Sequence, residues 1–518
     1  LTLAAAVTLE ADLRRAGLLL FAIALTARLL FVDRLSMVYF GYELLAHAVH
    51  LDALPRYGPG STALWSMVLG SVSENPALIL GLHDLLGAAT VTIWALAAAR
   101  ATQRRRALWW VGLPLALSPL FVRDHGSESL HVGAMWALSL ACYALAHGRR
   151  PGLGRLAIAA AGCALAALFR ADVAPLALLT AALFFLLAGG QPRELLNWRR
   201  WPHVALLLAL CASLSLSGAL VLERAGRDLA RANLPQLATL AGDLPGHLLL
   251  DNVLLRPGLF PVVSWLAVLA WIARGRAKAS HKWLALPAAA VVWLLPYYAD
   301  FNETSMLRLQ VPAATLFTIG AAVLAMALTE QARHRGPMVA LWAVAFTLSA
   351  GLTLPACLQR TNAHQEDELI AAAAAALPTA QPYWLVTRSY AEGQARDLHL
   401  HFPAWRFQPP WRAGRVVGIG TWQRAVAAGH TEGVQAWYLQ SLRCWMHRDG
   451  RNQSSRLHPA CAAMRAAAAG KPLLLRQAAN LGDSATFDLY GNSASLEVGL
   501  WPLPSPAHPA GSGVTSAF

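Results

Sequence analysis

The side chains of this sequence that could do chemistry crowd into Asp33–Glu74, where acids, imidazoles and a basic turn stand among apolar residues. Asp33, Glu43 and Asp52, with Glu74 at its end, are the carboxylates, His47 and His50 the imidazoles, and Arg56-Tyr57-Gly58-Pro59-Gly60 the turn. Glu43 and His47 stand four apart, which on a helix places them on one face. A carboxylate oriented by a neighbouring imidazole can take a proton from a hydroxyl. The same spacing also describes a surface acid facing water, and Asp33-Arg34 equally fits the interfacial end of an apolar segment. Further on, Arg123, Arg170 and Arg308 lie at the ends of apolar segments, accompanied by His125, Glu128 and Asp172. Guanidinium forks suit phosphate oxygens, so these arginines could hold an anion. Asp84 and Arg308 fall within apolar segments, where charge is expensive. They read either as partners that stabilise packing or as the lining of a polar chamber where a lipid-borne phosphate meets an acceptor.

The elements that must position these groups are helices in a membrane. Of 518 residues, 56% are hydrophobic and only 14% charged, against about 25% charged in soluble domains. A bilayer core needs roughly 17–25 apolar residues per helix, and about eleven segments approach this. They lie near 16–32, 77–99, 107–122, 129–146, 156–169, 173–189, 204–222, 257–273, 283–298, 307–328 and 338–356. The run at 17–32 has no small-residue cleavage site and reads as a first span, not a removable signal. The net charge of +14 could suggest nucleic acid, but the basic residues sit in short clusters between apolar segments. That is where topology signals lie. Nucleic acid is therefore not an expected partner.

The loops alternate in charge. RATQRRR, HGRRPGLGR, GGQPRELLNWRRWPH, RGRAKASHK and TEQARHRG are basic and nearly free of acids. The alternate loops hold Asp33, Glu43, Asp52, Asp124, Glu128, Asp172, Asp300 and Glu303. By the positive-inside rule the N-terminus is cytoplasmic and the acidic loops face out. The second outward loop is read as 123–128, and helix-like runs in 223–257 as lying along the membrane surface.

After residue 356 the composition becomes that of a small α/β domain outside the membrane. AHQEDELIAAAAAALP reads as a helix with an acidic start. YWLVT, RVVGIG, KPLLLR, ATFDLYG and ASLEVGL read as short strands, and 422–446 and 460–469 as helical. The expected organisation is a multi-pass transmembrane domain at 1–356 with its first outward loop at 33–76, an extracytoplasmic α/β domain at 357–500, and a disordered Pro/Gly/Ser-rich tail at 501–518. Trp405, Trp411, Trp422, Trp437 and Trp445 could stack on sugars but read more simply as core. Cys444 and Cys461 can form a disulfide if this region is outside the cytoplasm. The other four cysteines lie in apolar segments and read as buried hydrophobes. No cofactor is read from the residues, and a divalent metal stays open.

Three stretches carry a family resemblance. LHDLLGAATVTIWALAAARATQRRRALWWVGLPLALSP, SPLFVRDHGSESLHVGAMWALSLACYAL and ALAALFRADVAPLALL, with the Tyr-Gly-Pro-Gly turn before STALWSMVLG, follow one another in order. Together they resemble the GT-C superfamily of polyprenyl-phosphate-sugar-dependent glycosyltransferases, which includes protein O-mannosyltransferases and aminoarabinose transferases of lipid A. The resemblance covers about the first 190 residues, with a weaker likeness around SMLRLQVPAATLFTIGAA.

It implies a polytopic helical fold of the GT-C kind, in a bacterial inner or plasma membrane. It also implies transfer of a sugar from a polyprenyl-phosphate donor to a lipid, glycan or protein acceptor on the extracytoplasmic side. In that family an Asp in the first outward loop acts on the acceptor. Here the matching place falls near Val38–Gly41, which holds no acid. Glu43 is the nearest carboxylate and the first choice for general base, with Asp33 and Asp52 beside it. Arg123, Arg170 and Arg308 would meet the departing phosphate, with His47, Arg56, Tyr57, His125, Glu128 and Asp172 in support. The missing Asp also fits a non-catalytic scaffold that binds a lipid or protein partner. A transporter fits less well, since no broken spans repeat between two halves.

Overall fold

A computed structural model of the chain describes residues 3–31, 59–71, 77–126, 131–146, 152–170, 173–186, 197, 199, 201–221, 283–290, 307–358, parts of 368–377, 383–388, 414–430, 435–445, 457–479 and 495–504. These fall into two units, one within 1–359 and one within 360–518.

The first unit is helical: α1 Leu3–Leu30, α2 Pro59–Ser71, α3 Ala77–Thr102, α4 Arg105–Leu117, α5 Pro119–His125, α6 His131–Ala146, α7 Leu153–Phe169, α8 Ala174–Leu186, α9 Trp201–Val221, α10 Leu307–Gln331 and α11 Arg335–Leu358, with a further helical turn at 283–290. Leu and Ala dominate these segments, and both lose little on entering a helix. α1 begins well before the expected span because TLEADLRRA is polar yet helix-compatible; apolarity marks a span, not a helix. The expected segment at 257–273 and the surface runs at 223–257 lie outside the described residues.

One expected span is two helices. Ser118 has φ −66° and ψ 120°, which separates α4 from α5. Pro119 is the reason, since its ring disfavours helical backbone at the residue before it. Helix then resumes with Pro119 as its first residue, where a missing N–H costs nothing. As a result Arg123, Asp124 and His125 are not the loop expected from their charge. They complete α5, and all three are buried.

Among the described residues, Leu80–Thr102, Val311–Gln331 and Arg335–Leu352 are long and apolar enough to cross a membrane. α10 is buried along this whole stretch, whereas α11 leaves Leu341, Val344, Leu348 and Leu352 more than half exposed. These four recur along one helical stripe, the pattern of a face turned to lipid. The chain is a membrane protein by these features.

One end of the unit gathers the basic segments. Arg100 at the end of α3 pairs with Glu10 of α1 and lies 4.9 Å from the Tyr143 ring of α6. Arg105 of α4 reaches Asp12 at 3.3 Å. Arg104 and Arg106 both pair with Glu330 near the end of α10, Arg106 at 2.7 Å. The helix ends expected on one side of a membrane therefore do meet, and the few acids there are absorbed in pairs.

The second unit holds a five-stranded sheet of order β2-β1-β3-β5-β4, with β1 Tyr383–Thr387, β2 Gly414–Gly418, β3 Gln435–Gln440, β4 Leu474–Ala479 and β5 Ser495–Pro502. β2, β1 and β3 are parallel, and β5 runs antiparallel to both β3 and β4. β1 is buried at every position because both faces are covered. Leu369, Ala373 and Leu377, four apart on a helical stretch, pack with Tyr383, Leu385 and Leu500. Across the sheet, Trp384, Val386, Tyr438 and Trp501 pack with α12 Ile419–Ala427 and α13 Pro459–Ala467. Trp422 and Trp437 are core residues on opposite faces; Trp405 and Trp411 lie outside the described residues.

Two expectations need correction here. The stretch 422–446 is not continuous helix, because α12 ends before Gly429 (φ 71°), a left-handed position, and QAWYLQ forms the central strand β3. Nor does the ordered chain stop at 500. β5 continues to Pro502, Trp501 is fully buried, and the Leu503 amide donates to Ala436 O at 2.9 Å.

Cys444 and Cys461 are joined, with Cα atoms 5.6 Å apart and a sequence separation of 17. The Tyr438 hydroxyl donates to Cys461 O at 3.2 Å and lies 3.3 Å from Cys444 Sγ. Burial pushes this phenol up, so it stays protonated as a donor. Closing a loop of this length contributes about 3 kcal/mol. A Cys444→Ser/Cys461→Ser variant is expected to lose about that much, read as a lower unfolding midpoint. Denatured, non-reduced wild-type protein should titrate four thiols, six cysteines less the two that are bonded.

Candidate functional site

At the end of the helical unit away from the basic segments, charged side chains turn inward. Arg28, two residues before the end of α1, is fully buried. His83 and Asp84 enter from the first half of α3, and Arg123, Asp124 and His125 from α5; each is no more than 7% exposed. Ionisable groups this deep must be paired or hydrogen-bonded to persist.

The pairing is specific. Arg28 Nε donates to His125 Nδ1 at 3.0 Å, and Nη2 also points at that nitrogen. Arg28 Nη1 donates to Ala24 O one turn back, at 2.8 Å. For Nδ1 to accept, the imidazole must be neutral with its proton on Nε2. The Arg28 guanidinium also lies in the field of the Asp84 and Asp124 carboxylates. Arg123, on the same short helix as Asp124 and His125, is buried as well.

Backbone shape makes room for this arrangement. His125 lies directly over Gly87 of α3, where a Cβ would come 2.5 Å from the ring Cγ and Nδ1. Gly87 is four residues after His83, so the bare patch and the imidazole lie along the same side of α3. Only the absence of a side chain lets α5 settle there.

α2 braces the neighbouring region. Its buried Trp65 donates Nε1–H to His83 Nε2 at 3.2 Å, with ring centroids 5.6 Å apart. Four residues earlier, Ser61 Oγ donates to Phe169 O at 3.3 Å. Gly60 sits against the same helix end, where a Cβ would come 3.0 Å from the Leu168 carbonyl. This explains the glycine of the Tyr-Gly-Pro-Gly turn: it lets α2 abut the end of α7. Arg170 caps that end with an extended backbone (φ −155°, ψ 111°), and Val173 N returns to Arg170 O at 3.0 Å.

Of the residues expected to act, Arg123 and His125 join the buried cluster and Arg170 ends the helix that α2 touches. Arg308 lies in the first turn of α10, its side chain outside the described residues. Asp33, Glu43, His47, Asp52, Arg56, Tyr57, Glu128 and Asp172 also lie outside them. Sequence reasoning gave no site role to Arg28, Asp124 or Trp65. For Arg28 the signal was present: an arginine inside the last turn of an apolar segment needs a buried partner.

No family model matches the chain, and no curated protein matches its sequence. Solved structures do match. ArnT from Cupriavidus metallidurans in the apo state aligns with a TM-score of 0.51 and 13% identity, covering 94% of this chain and 97% of that one. The same protein bound to undecaprenyl phosphate aligns with a TM-score of 0.52 over the same shares, also at 13% identity. The archaeal oligosaccharyltransferase AglB from Archaeoglobus fulgidus, in complex with an inhibitory peptide and a dolichol-phosphate, aligns with a TM-score of 0.43 and 13% identity, covering 83% of this chain and 69% of that one. In fold, this chain is similar to ArnT along nearly its whole length.

Proposed function

We propose that this protein is a membrane glycosyltransferase that moves a sugar from a polyprenyl-phosphate donor to a lipid, glycan or protein acceptor. The observation that carries the reading is the gathering of Arg28, Asp84 and Asp124, with Arg123 buried on the same short helix as Asp124, in a helical unit whose fold is similar to that of a protein bound to undecaprenyl phosphate. Fold alone does not give activity. The cluster adds a charged, partly desolvated region on one side of the membrane, the setting in which phosphate chemistry is strongest. Positive-inside bias assigns the arginine-rich end to the cytoplasm, and hence the cluster and the 357–500 domain to the extracytoplasmic side.

In this reading Glu43 takes the proton of the acceptor hydroxyl, with Asp33 and Asp52 as the alternative carboxylates. The acceptor oxygen bonds to the sugar's anomeric carbon as the bond to phosphate breaks. The electron pair leaves with the polyprenyl phosphate, whose charge is met by Arg123, Arg170 and Arg308. His47 orients the base, while Arg56, Tyr57, His125, Glu128 and Asp172 shape the surroundings. The clamp from Arg28 to His125 keeps α5, and with it Arg123, in place.

The test is Glu43→Gln beside Asp33→Asn and Asp52→Asn, assayed with polyprenyl-phosphate-linked sugars. Loss of a general base is worth 10²–10⁴-fold, so Glu43→Gln is expected to fall by at least about 100-fold while the other two keep most activity. Full activity in Glu43→Gln removes Glu43 from the mechanism. Tight binding of undecaprenyl phosphate by the wild type without turnover of any donor sugar identifies a binding scaffold instead.

A further inference from the structure

A second feature of the helical unit lies apart from the buried cluster. α4, α5, α10 and α11 enclose a groove of about 350 Å³, walled by Trp109, Trp110, Trp342 and Phe346. Trp110 stacks on Trp342 with centroids 6.1 Å apart, and Trp342 meets Phe346 edge-on at 4.7 Å. The Thr347 hydroxyl at its wall turns back to Ala343 O at 2.9 Å, and most of the lining side chains are apolar. Leu113, Leu117 and Val339 stand exposed at the rim, so the groove opens toward the lipid-facing side.

The groove adjoins charge at one end only. Trp109 also lines a depression formed by Arg104, Arg105 and Arg106. Glu330 there is shared by Arg104 and Arg106, and the Arg335 side chain donates to its backbone carbonyl at 3.4 Å. Two guanidinium groups thus share one carboxylate, with a third on the backbone carbonyl of the same residue. Burial, and then the like charges of Arg106 and Arg335, hold the Arg104 guanidinium below its ordinary value, a crowding that an added anion would relieve. Arg104, Arg105 and Arg106 are each about half exposed and can reach a headgroup.

Length decides which lipid fits. From Val339 to Ala350 the α11 wall of the lining covers eleven helical steps, about 17 Å at 1.5 Å per residue. One leaflet occupies half of a core about 30 Å thick. We propose that this groove, with the arginines at its mouth, binds one anionic phospholipid of the leaflet beside the basic end: phosphate on Arg104, Arg105 and Arg106, and an acyl chain along Trp109, Trp342 and Phe346. The site is separate from the transferase reading and does not depend on it.

The experiment uses purified full-length protein, stripped of lipid in a neutral detergent. It is titrated with phosphatidylglycerol, phosphatidylcholine or undecaprenyl phosphate, with bound lipid counted by native mass spectrometry and the unfolding midpoint followed in parallel. Phosphatidylglycerol is expected to bind one per chain and raise the midpoint, and phosphatidylcholine to do neither. Each arginine near a membrane surface is worth roughly fivefold in binding, so Arg104→Gln/Arg106→Gln should weaken phosphatidylglycerol by about 25-fold. Because those arginines also hold Glu330, Ala343→Phe serves as a second variant: it fills the groove, keeps every charge, and should abolish the bound lipid. Equal binding of phosphatidylcholine, or undiminished phosphatidylglycerol binding in Ala343→Phe, overturns the proposal. So does one-for-one displacement of phosphatidylglycerol by undecaprenyl phosphate, which would make the groove part of the carrier site.

Discussion

Replacing Arg28 with methionine is expected to cost about 3–5 kcal/mol of stability, the range for removing one member of a buried ion pair. Methionine keeps most of the stem and its packing, so the loss isolates the guanidinium. What remains is two carboxylates, Asp84 and Asp124, without the guanidinium that lies in their field, and a His125 Nδ1 that has lost its donor. Arg28→Lys restores the charge as a single point. It cannot reach His125 Nδ1 and Ala24 O together with the fixed geometry of a fork, so about half of the cost should persist. Denaturation of the detergent-solubilised protein, followed by tryptophan fluorescence, gives both values. Repeating Arg28→Met in an Asp84→Asn background supplies the control. If the two charges act on each other, the second cost falls by at least about 1 kcal/mol; strictly additive costs would show that they do not. Since Arg28 holds α5, transfer activity should fall in step with folding in Arg28→Met and recover partly in Arg28→Lys.

The same cluster shows where sequence reading reaches its limit. Apolar length and loop charge located α3, α6, α7, α10 and α11, and brought Arg100, Arg104 and Glu330 to one end. Those signals are local or average over many residues. Arg123-Asp124-His125 carries the composition of a loop, and no window around it announces burial. It is buried because Arg28, 97 positions earlier, supplies the charge and the donor that make burial tolerable. A lone sequence does not pair distant residues. β3 was hidden for a related reason: QAWYLQ sits in a helix-like neighbourhood, and its strand character comes from β1 and β5 on either side. The proposed base Glu43 rests on the resemblance and on its spacing from His47, so its role passes to the transfer assay.

Gly87 offers the most discriminating substitution, because two principles predict opposite signs for it. In an ordinary helix interior, Gly→Ala stabilises by about 1 kcal/mol through helix propensity. Here an added Cβ would lie 2.5 Å from the Cγ and Nδ1 of His125 and 2.7 Å from its Cβ. These atoms belong to the rigid part of the side chain, so the methyl group cannot be accommodated by a small rotation of a flexible tip. α5 must lift, and the hydrogen bond from Arg28 goes with it. Overpacking of this kind costs about 1–3 kcal/mol, and a lost buried hydrogen bond adds to that. Gly87→Ala should therefore destabilise the protein by about 2–4 kcal/mol. In a His125→Gly background, which removes the Cβ as well as the ring, the obstruction is gone, and the same substitution should become neutral or stabilising. This reversal separates a close contact from a general intolerance of α3 to change. If Gly87→Ala costs the same with and without the His125 ring, the docking of α5 on α3 is wrong, and with it the clamp that positions Arg123.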